Sequence, residues 1–288
     1  MRWRGDRQST NVDDRRGRRK APAAVGGGIG VILIAVIITL LGGNPQQFLQ
    51  QAQQNQVGGP PRAGGGQPGE LSPDEVEAGK FVSTVFAYSE DVWNDLFARN
   101  GQRYEEPVMV LFTNQVNSGC GLASSGTGPF YCPADRKVYL DTSFFAQLDR
   151  QLGAPGDFAQ AYVVAHEVGH HVQNLLGYTD QMDQLRRRLP EVEYNKFSVK
   201  LELQADFFAG VMLHHAEKRY QIIEEGDIQE ALNAARAIGD DTLQKRSRGY
   251  VQPETFNHGT SDQRLRWFSK GLRTGDLNQG DTFSATNL

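Results

Sequence analysis

Residues 157–171 read Asp-Phe-Ala-Gln-Ala-Tyr-Val-Val-Ala-His-Glu-Val-Gly-His-His, and this stretch decides how the rest of the sequence is interpreted. Asp157 is a residue type that caps helices, and the run continues without proline to Gly177, where glycine can end a helix. The apolar residues before His166 predict that the helix is buried. Glycine inside a helix costs about 1 kcal/mol relative to alanine, so Gly169 indicates close packing against a neighbouring element.

The same stretch carries three side chains that suit a metal site. His166 and His170 are four residues apart and therefore lie on one face of a helix, where both imidazoles can bind a single ion. Glu167, next to the first histidine, can take a proton from metal-bound water. The alternative is a helix that carries histidines by chance, which the five-residue pattern on an apolar helix disfavours. The pattern therefore predicts one zinc ion per chain.

A catalytic zinc usually takes three protein ligands and leaves one position open, so a third ligand is expected elsewhere in the chain. Glu202 lies in the segment Leu-Glu-Leu-Gln-Ala-Asp at residues 201–206, on the next long predicted helix and among apolar residues. We expect it to be that ligand. Asp206, one turn later on the same face, is placed to hydrogen-bond a ligand histidine. The alternative for both carboxylates is an ordinary solvated pair.

His258 is a candidate for a second catalytic role. It lies in the segment Phe-Asn-His-Gly-Thr at residues 256–260, a turn-like stretch before a predicted helix. Hydrolysis of a peptide bond needs a donor for the oxyanion that develops in the transition state, and a loop histidine can supply one. The alternative is a surface histidine without a catalytic role, and the sequence leaves both interpretations open.

Hydrophobic periodicity and cap residues indicate a mostly helical domain with a small sheet, an α+β arrangement. A capping box at residues 72–75 starts the first predicted helix, which we expect to end near residue 100. Short β-rich runs predict strands at 107–113 and 137–141. The sheet edge near Lys137–Asp141 is expected to take up an extended substrate peptide. Further helices are predicted over residues 157–177, 191–218, 227–248 and 261–272.

The start of the chain differs in composition from the rest. Its first 20 residues hold eight Lys or Arg and three Asp, although the whole chain has a net charge of −4. Residues 25–43 contain no charged side chain and are just long enough to cross a bilayer. Residues 44–70 are rich in Gly, Pro and Gln, which is typical of a flexible linker. We therefore predict a basic tail over 1–24, a transmembrane anchor over 25–43 and a folded domain over 71–288.

The charge distribution also predicts an orientation. Lys and Arg accumulate on the cytoplasmic side of membrane helices, so residues 1–24 are expected in the cytoplasm and the domain outside it. A cleaved signal peptide is the alternative for residues 25–43, but no clear cleavage site follows them. A tail on the opposite side of the membrane from the domain argues against a nucleic-acid-binding function.

Cys120 and Cys132 are the two cysteines of the chain. Both fall in the part that is predicted to be exported, where an oxidising compartment favours a disulfide between them. The alternatives are a two-thiolate metal site, for which no further ligands are nearby, and two free thiols.

Together the separate motifs resemble those of the bacterial neutral zinc metallopeptidase family. They are the His-Glu-Val-Gly-His-His motif, the segment at 201–206, the two cysteine-bearing segments at 118–123 and 128–133, the segment at 258–264, and the stretches 1–3 and 11–16 at the start of the chain. The resemblance therefore covers nearly the whole chain. It implies a zincin fold in which His166, His170 and Glu202 hold zinc, Glu167 is the base and Asp206 orients a ligand histidine.

The resemblance implies an enzyme that cleaves a peptide or protein substrate, and we expect an endopeptidase rather than an exopeptidase. With the predicted anchor it implies a single-pass protein of the bacterial inner membrane that contacts the lipid bilayer through residues 25–43. The rival from another class is an inactive zinc-binding domain that acts as a membrane-tethered scaffold or regulator. The intact Glu167 argues against that rival, because a scaffold needs the ligands but not the base. Nothing in the sequence indicates an oligomeric state.

Overall fold

The structure, a computed structural model, describes residues 1–17 and 70–288. The predicted anchor at 25–43 lies outside the described residues, as does all but the last residue of the predicted linker at 44–70. Within the two described ranges, no helix combines the length and the apolar character that crossing a bilayer requires.

Helices dominate the described part of the chain, as the periodicity predicted. The predicted capping box is present, since the Ser72 hydroxyl accepts a hydrogen bond from the Glu75 amide and the Glu75 carboxylate accepts one from the Ser72 amide. One predicted helix, 227–248, is wrong, because the backbone is extended at Gly239 and divides it into two. The α-helices are α1 Pro73–Arg99, α2 Ser143–Arg150, α3 Asp157–Leu175, α4 Tyr178–Arg186, α5 Glu191–Tyr220, α6 Asp227–Ala237, α7 Asp240–Arg248 and α8 Ser261–Thr274.

The strands form a four-stranded mixed sheet and a separate hairpin. The sheet has the order β1-β2-β6-β5, in which β5 is antiparallel to its neighbour and the other pairs are parallel. The predicted strands at 107–113 and 137–141 are confirmed as β2 and β6, and the mostly helical α+β class is confirmed with them. The strands are β1 Val12–Asp14, β2 Val108–Phe112, β3 Gln115–Ser118, β4 Gly121–Ser124, β5 Phe130–Cys132 and β6 Lys137–Asp141.

The free edge of the sheet is not where the sequence placed it. Strand β6 is paired on one side with β2 and on the other with β5, so the expected substrate edge at Lys137–Asp141 is largely covered. Beyond β6, the last strand of the sheet is β5, which forms its edge. The predicted disulfide between Cys120 and Cys132 is present and ties the β3–β4 hairpin to β5.

Residues 1–17, here called the N-terminal segment, belong to the folded body. Met1 and Trp3 are buried in the main core, and β1 pairs with β2. The sequence had assigned these residues to a tail separate from a domain that begins at residue 71. The folded unit therefore starts earlier than predicted and consists of two stretches of chain.

Close helix contacts set the position of the site. A Cβ atom added at Gly169 of α3 would lie 2.8 Å from the backbone oxygen of Ala205 on α5, so these two helices touch backbone to backbone. This confirms the close packing that the glycine indicated. Gly271 of α8 meets the backbone of Phe207 on α5 in the same way, where an added Cβ would lie 2.1 Å from its oxygen. Helices α3, α5 and α8 therefore meet around one point.

Candidate metal centre

Three predicted ligands converge between α3 and α5. His166 Nε2 lies 3.3 Å from one carboxylate oxygen of Glu202, and His170 Nε2 lies 3.5 Å from the other. The three donor atoms all lie within 4.8 Å of one another. His166, His170 and Glu202 are called the metal triad below.

The spacing of these atoms fits zinc. An ion with tetrahedral ligands at about 2.0–2.1 Å separates its ligand atoms by about 3.3–3.4 Å, close to the two distances between imidazole and carboxylate. Two neutral imidazoles and one carboxylate are also a donor set that catalytic zinc sites use. The metal triad is partly exposed at His170 and Glu202, each with a side chain 17–18% accessible to solvent. The donor set could therefore hold an ion and is open to solvent on one side.

Hydrogen bonds fix both imidazoles with Nε2 toward the shared point. His166 donates from Nδ1 to Asp206 at 2.9 Å, as the sequence predicted. His170 donates from Nδ1 to the side-chain oxygen of Gln173, also at 2.9 Å. A proton held on Nδ1 leaves the Nε2 lone pair for a metal ion.

Gln173 is held in turn by α5. Its amide nitrogen donates to the Leu201 carbonyl at 2.6 Å and to the Gln204 side chain at 3.1 Å. Gln204 is itself buried and donates to the Gly280 carbonyl. The orientation of His170 is therefore set by α5 and by the C-terminal stretch of the chain.

Asp206 lies at the centre of a buried polar cluster that the sequence showed only in part. Its two oxygens accept parallel hydrogen bonds from Arg264 of α8, both at 2.9 Å, and the Tyr162 hydroxyl donates to one of them at 2.5 Å. All three side chains are buried. A paired guanidinium allows a carboxylate to remain charged inside a protein.

The charges of this cluster act on the metal triad. Burial raises the pKa of Asp206, but the Arg264 guanidinium and His166 outweigh burial and hold that pKa below its usual value. Burial lowers the pKa of His166, but the charge and hydrogen bond of Asp206 raise it to about 10. Asp206 therefore makes the His166 imidazole more basic, which would strengthen it as a ligand of a bound ion.

Glu167 lies beside the triad on α3 and is nearly buried. In the described part of the chain, no residue makes a hydrogen bond or ion pair with its carboxylate. The carboxylate therefore has no described partner that would compete with a ligand for it.

His258 lies near the triad and is oriented by a residue that the sequence did not reveal. Its Nδ1 lies 3.1 Å from one oxygen of buried Asp240, whose other oxygen accepts the backbone amides of residues 257–259. Burial lowers the pKa of His258, but the hydrogen bond to Asp240 and the charge of Glu202 raise it above its usual value. The raised pKa favours the doubly protonated ring, in which both nitrogens can donate, and 37% of the side chain is exposed.

His171 has a different role from its neighbours in the motif. It is fully buried, with Nε2 donating to the Glu105 carbonyl at 2.6 Å and Nδ1 accepting from the Tyr131 hydroxyl at 3.0 Å. Burial lowers its pKa to about 4, so the ring is neutral. Asn174 of α3 also donates to the Tyr131 hydroxyl. Through Tyr131, His171 and Asn174 attach β5 to the helix that carries the metal triad.

Two of the orienting residues could not be inferred from spacing alone. Arg264 closes the segment at 258–264 that the sequence analysis singled out, but nothing in the segment shows that its guanidinium reaches α5. Asp240 follows a glycine that breaks a helical pattern, and this was the available signal of a turn there. Both are recognised only when α7 and α8 are placed beside α3 and α5.

Two histidines one turn apart on α3, a glutamate next to the first of them and a further glutamate on α5 are the pattern of metallopeptidases that carry the His-Glu-x-x-His motif. The model of the family described as "Putative neutral zinc metallopeptidase" matches residues 1–283. The chain belongs to this family.

Similar proteins occur in bacteria. The Escherichia coli K12 protein YpfJ, named as uncharacterized, is 44% identical over 290 residues, which cover 98% of this chain and 99% of YpfJ. The uncharacterized protein Rv2575 of Mycobacterium tuberculosis is 47% identical over 195 residues, which cover 64% of this chain and 65% of the relative. No solved structure matches the chain at a significant level.

Proposed function

We propose that the protein hydrolyses peptide bonds, with one zinc ion held by the metal triad and Glu167 as the general base. The observation that carries the proposal is the position of Glu167, which follows a triad histidine on α3 and keeps its carboxylate free of described partners. A domain that uses zinc only for its structure has no need of a free carboxylate beside the ion. The proposed arrangement is that of a zincin with a glutamate ligand.

The chain's own residues would divide the chemistry between them. When bound, zinc polarises the substrate carbonyl and lowers the pKa of the attacking water. Glu167 takes the proton from that water and passes it to the leaving amine. Asp206 and Gln173 hold the two imidazoles in place while charge moves through the site.

His258 is proposed as the donor to the developing oxyanion. Its Nδ1 is bound to Asp240, and its Nε2 makes no hydrogen bond with the described residues. The charge interaction between His258 and Glu202 supports a position of the ring near the metal triad. A preoriented donor at this position would stabilise the transition state more than the bound substrate.

The substrate is proposed to be an extended peptide that pairs with the free edge of β5. Tyr131 of β5 is bonded to His171 and Asn174, so this edge runs beside the helix that carries the metal triad. Strand edges bind peptides through main-chain hydrogen bonds. A peptide bound along an edge continues past the site in both directions, which favours cleavage within a chain over removal of a terminal residue.

The test uses the full-length protein, with zinc analysis and cleavage of a peptide library measured on the same preparations. Glu202→Ala is expected to lose most of its zinc, because it removes a ligand. Glu167→Gln is expected to keep its zinc and to lose cleavage by about 100-fold or more. Glu193→Gln, on an exposed residue of α5, is the matched control and should retain both.

Two results would contradict the proposal in different ways. Cleavage by Glu167→Gln at the wild-type rate would remove Glu167 from the role of base. A wild-type protein that binds zinc at the triad and cleaves no member of the library would instead favour the zinc-binding scaffold.

A further inference from the structure

The N-terminal segment is inserted into the core rather than laid on the surface. The Trp3 ring is buried and packs edge to face against Phe81 of α1, with ring centroids 5.3 Å apart. The α-ammonium of Met1 is 2.6 Å from the Asp157 carboxylate at the start of α3. The segment thus contacts both the first helix and the helix that carries the metal triad.

Backbone hydrogen bonds continue this attachment along the segment. The amide of Met109 donates to the carbonyl of Asn11, and the amide of Arg15 donates to the carbonyl of Leu111. These bonds hold β1 in parallel register with β2, so β1 is an edge strand of the central sheet. The amide of Ser9 also donates to the carbonyl of Ser83 in α1.

Gly79 of α1 leaves space for the side chain of Arg16 in the N-terminal segment. Gly79 lies inside α1, where glycine costs about 1 kcal/mol relative to alanine. A Cβ atom at this position would lie 2.1 Å from the guanidinium of Arg16, which is buried there. Arg16 also donates to the Glu75 carbonyl at 2.6 Å. The sequence of α1 is therefore adapted to the segment that docks on it.

The basic residues of the segment are used within the fold. Arg7 forms ion pairs with Glu90 and Asp91 of α1, at 3.0 and 2.9 Å, and the Glu90 side chain is only 5% exposed. Arg4 pairs with Glu77 of the same helix. These are among the charges from which a cytoplasmic tail was predicted. Their partners lie in the body of the protein, so their presence does not require a membrane surface to explain it.

We infer that the N-terminal segment and residues 70–288 lie in the same compartment. A strand cannot pair with a sheet across a bilayer, so no single membrane crossing separates these two parts of the chain. The inference rests on contacts of the segment and is independent of the proposed catalytic function. Bilayer contact by residues 25–43 stays a prediction, and this inference argues against the predicted orientation with the N-terminus in the cytoplasm and the domain outside it.

The test places one cysteine on each part of the full-length chain. Thr10→Cys and Thr286→Cys substitute exposed residues and should leave the fold intact. Bacterial spheroplasts that express each variant are treated with a membrane-impermeant maleimide before or after lysis. Mass spectrometry of the digest then identifies which peptide carries the label, which separates the new cysteines from Cys120 and Cys132.

The expected result is that both positions behave alike. Labelling of both before lysis places the whole protein outside the cytoplasm, whereas labelling of both only after lysis places it inside, and either outcome supports the inference. Labelling of one position before lysis and of the other only after lysis would overturn it. Denaturing lysis is the control that shows both thiols to be reactive.

Discussion

Asp206 is fully buried and still provides a negative charge next to His166 of the metal triad. Burial alone would protonate such a carboxylate, but the paired guanidinium of Arg264 stabilises the charged form. With both oxygens held by Arg264, the carboxylate has a fixed orientation in which one oxygen meets His166 Nδ1. The orientation of His166 therefore depends on an arginine of α8, whose guanidinium reaches only the Nδ1 side of that ring, at 3.4 Å.

The first residue-scale prediction concerns this arginine. Arg264→Met should lower the zinc affinity by about 10- to 100-fold, as loss of residues that orient metal ligands does. Arg264→Lys should have an intermediate effect, because lysine keeps the charge but cannot form two parallel hydrogen bonds. The measurement is competition with a chelator, with the melting temperature of the metal-free protein recorded in parallel. Arg266→Met, on the exposed face of the same helix, is the control.

An unchanged zinc affinity in Arg264→Met would show that Asp206 orients His166 without the help of Arg264.

The second residue-scale prediction concerns His258. His258→Ala should lower the turnover number by about 100-fold while zinc content and melting temperature stay near wild type, because the lost bond forms mainly in the transition state. The Michaelis constant should change less. Turnover and melting temperature are measured on one preparation. A variant that loses thermal stability but keeps its turnover per folded molecule would assign His258 a structural role beside Asp240.

The residues that share a short motif could be read from the sequence, and those that meet only in space could not. His166 and His170 are fixed by helical spacing, and the position of Glu202 on the next apolar helix made it the best third ligand. Arg264 is 58 residues from Asp206 along the chain. Its contact depends on how α8 crosses α5, which no local pattern records.

At the scale of elements, α3 is the helix to which the edge strand is attached. The neutral ring of His171 bridges the Glu105 carbonyl and Tyr131 of β5, and only the neutral form can donate on one side and accept on the other. Protonation would remove the acceptor and place a charge in a buried site. The attachment of β5 is therefore sensitive to acid.

The element-scale prediction follows from this pKa. Burial lowers the pKa of His171 to about 4, whereas the unfolded chain has the ordinary value of 6.5. The unfolded state therefore binds the extra proton first as the pH falls, and the stability is complete above pH 6.5 and decreases between pH 6.5 and 4. At pH 4 the lowered pKa of His171 reduces the free energy of unfolding by about 3 kcal/mol. Urea unfolding of wild type and His171→Gln across this range is the measurement. On acidification from pH 6.5 to 4, the free energy of unfolding of His171→Gln should fall by about 3 kcal/mol less than that of wild type. If the two proteins lose the same stability over this range, His171 is not the group that titrates.

Long elements with strong patterns were predictable, and short polar ones were not. The helices α3 and α5 combine apolar stretches with recognisable ends, so their existence followed from the sequence. Strand β1 has three residues, Val-Asp-Asp, and neither its length nor its composition is typical of a strand. It forms because β2 offers a free edge, and that edge exists only after the sheet has assembled.

At the scale of the whole molecule, the main departure from the sequence prediction is the place of the N-terminal segment. A cluster of arginines before an apolar run is typical of a membrane topology signal, and composition alone cannot distinguish it from a docked segment whose charges have partners elsewhere. Trp3 and the mid-helix Gly79 were the available hints that the segment belongs to the core. Trp3 is informative only once its contact with Phe81 is known, and Gly79 only once its contact with Arg16 is known.

The last prediction tests this integration through stability. If the N-terminal segment were an independent tail, truncating Trp3 would leave the free energy of unfolding of the domain unchanged. In the observed fold the indole is buried against Phe81 in the main core, so Trp3→Ala should lower the free energy of unfolding by about 3–5 kcal/mol. Gln8→Ala, at an exposed position of the same segment, should change it by less than about 0.5 kcal/mol. Denaturant unfolding of the full-length protein, followed by the circular dichroism of its helices, measures both. Residues 70–288 supply all of the described helices. A change at residue 3 can therefore lower the stability of these helices only if the N-terminal segment and residues 70–288 unfold together. Equal stability of Trp3→Ala and Gln8→Ala would show that the two parts unfold separately.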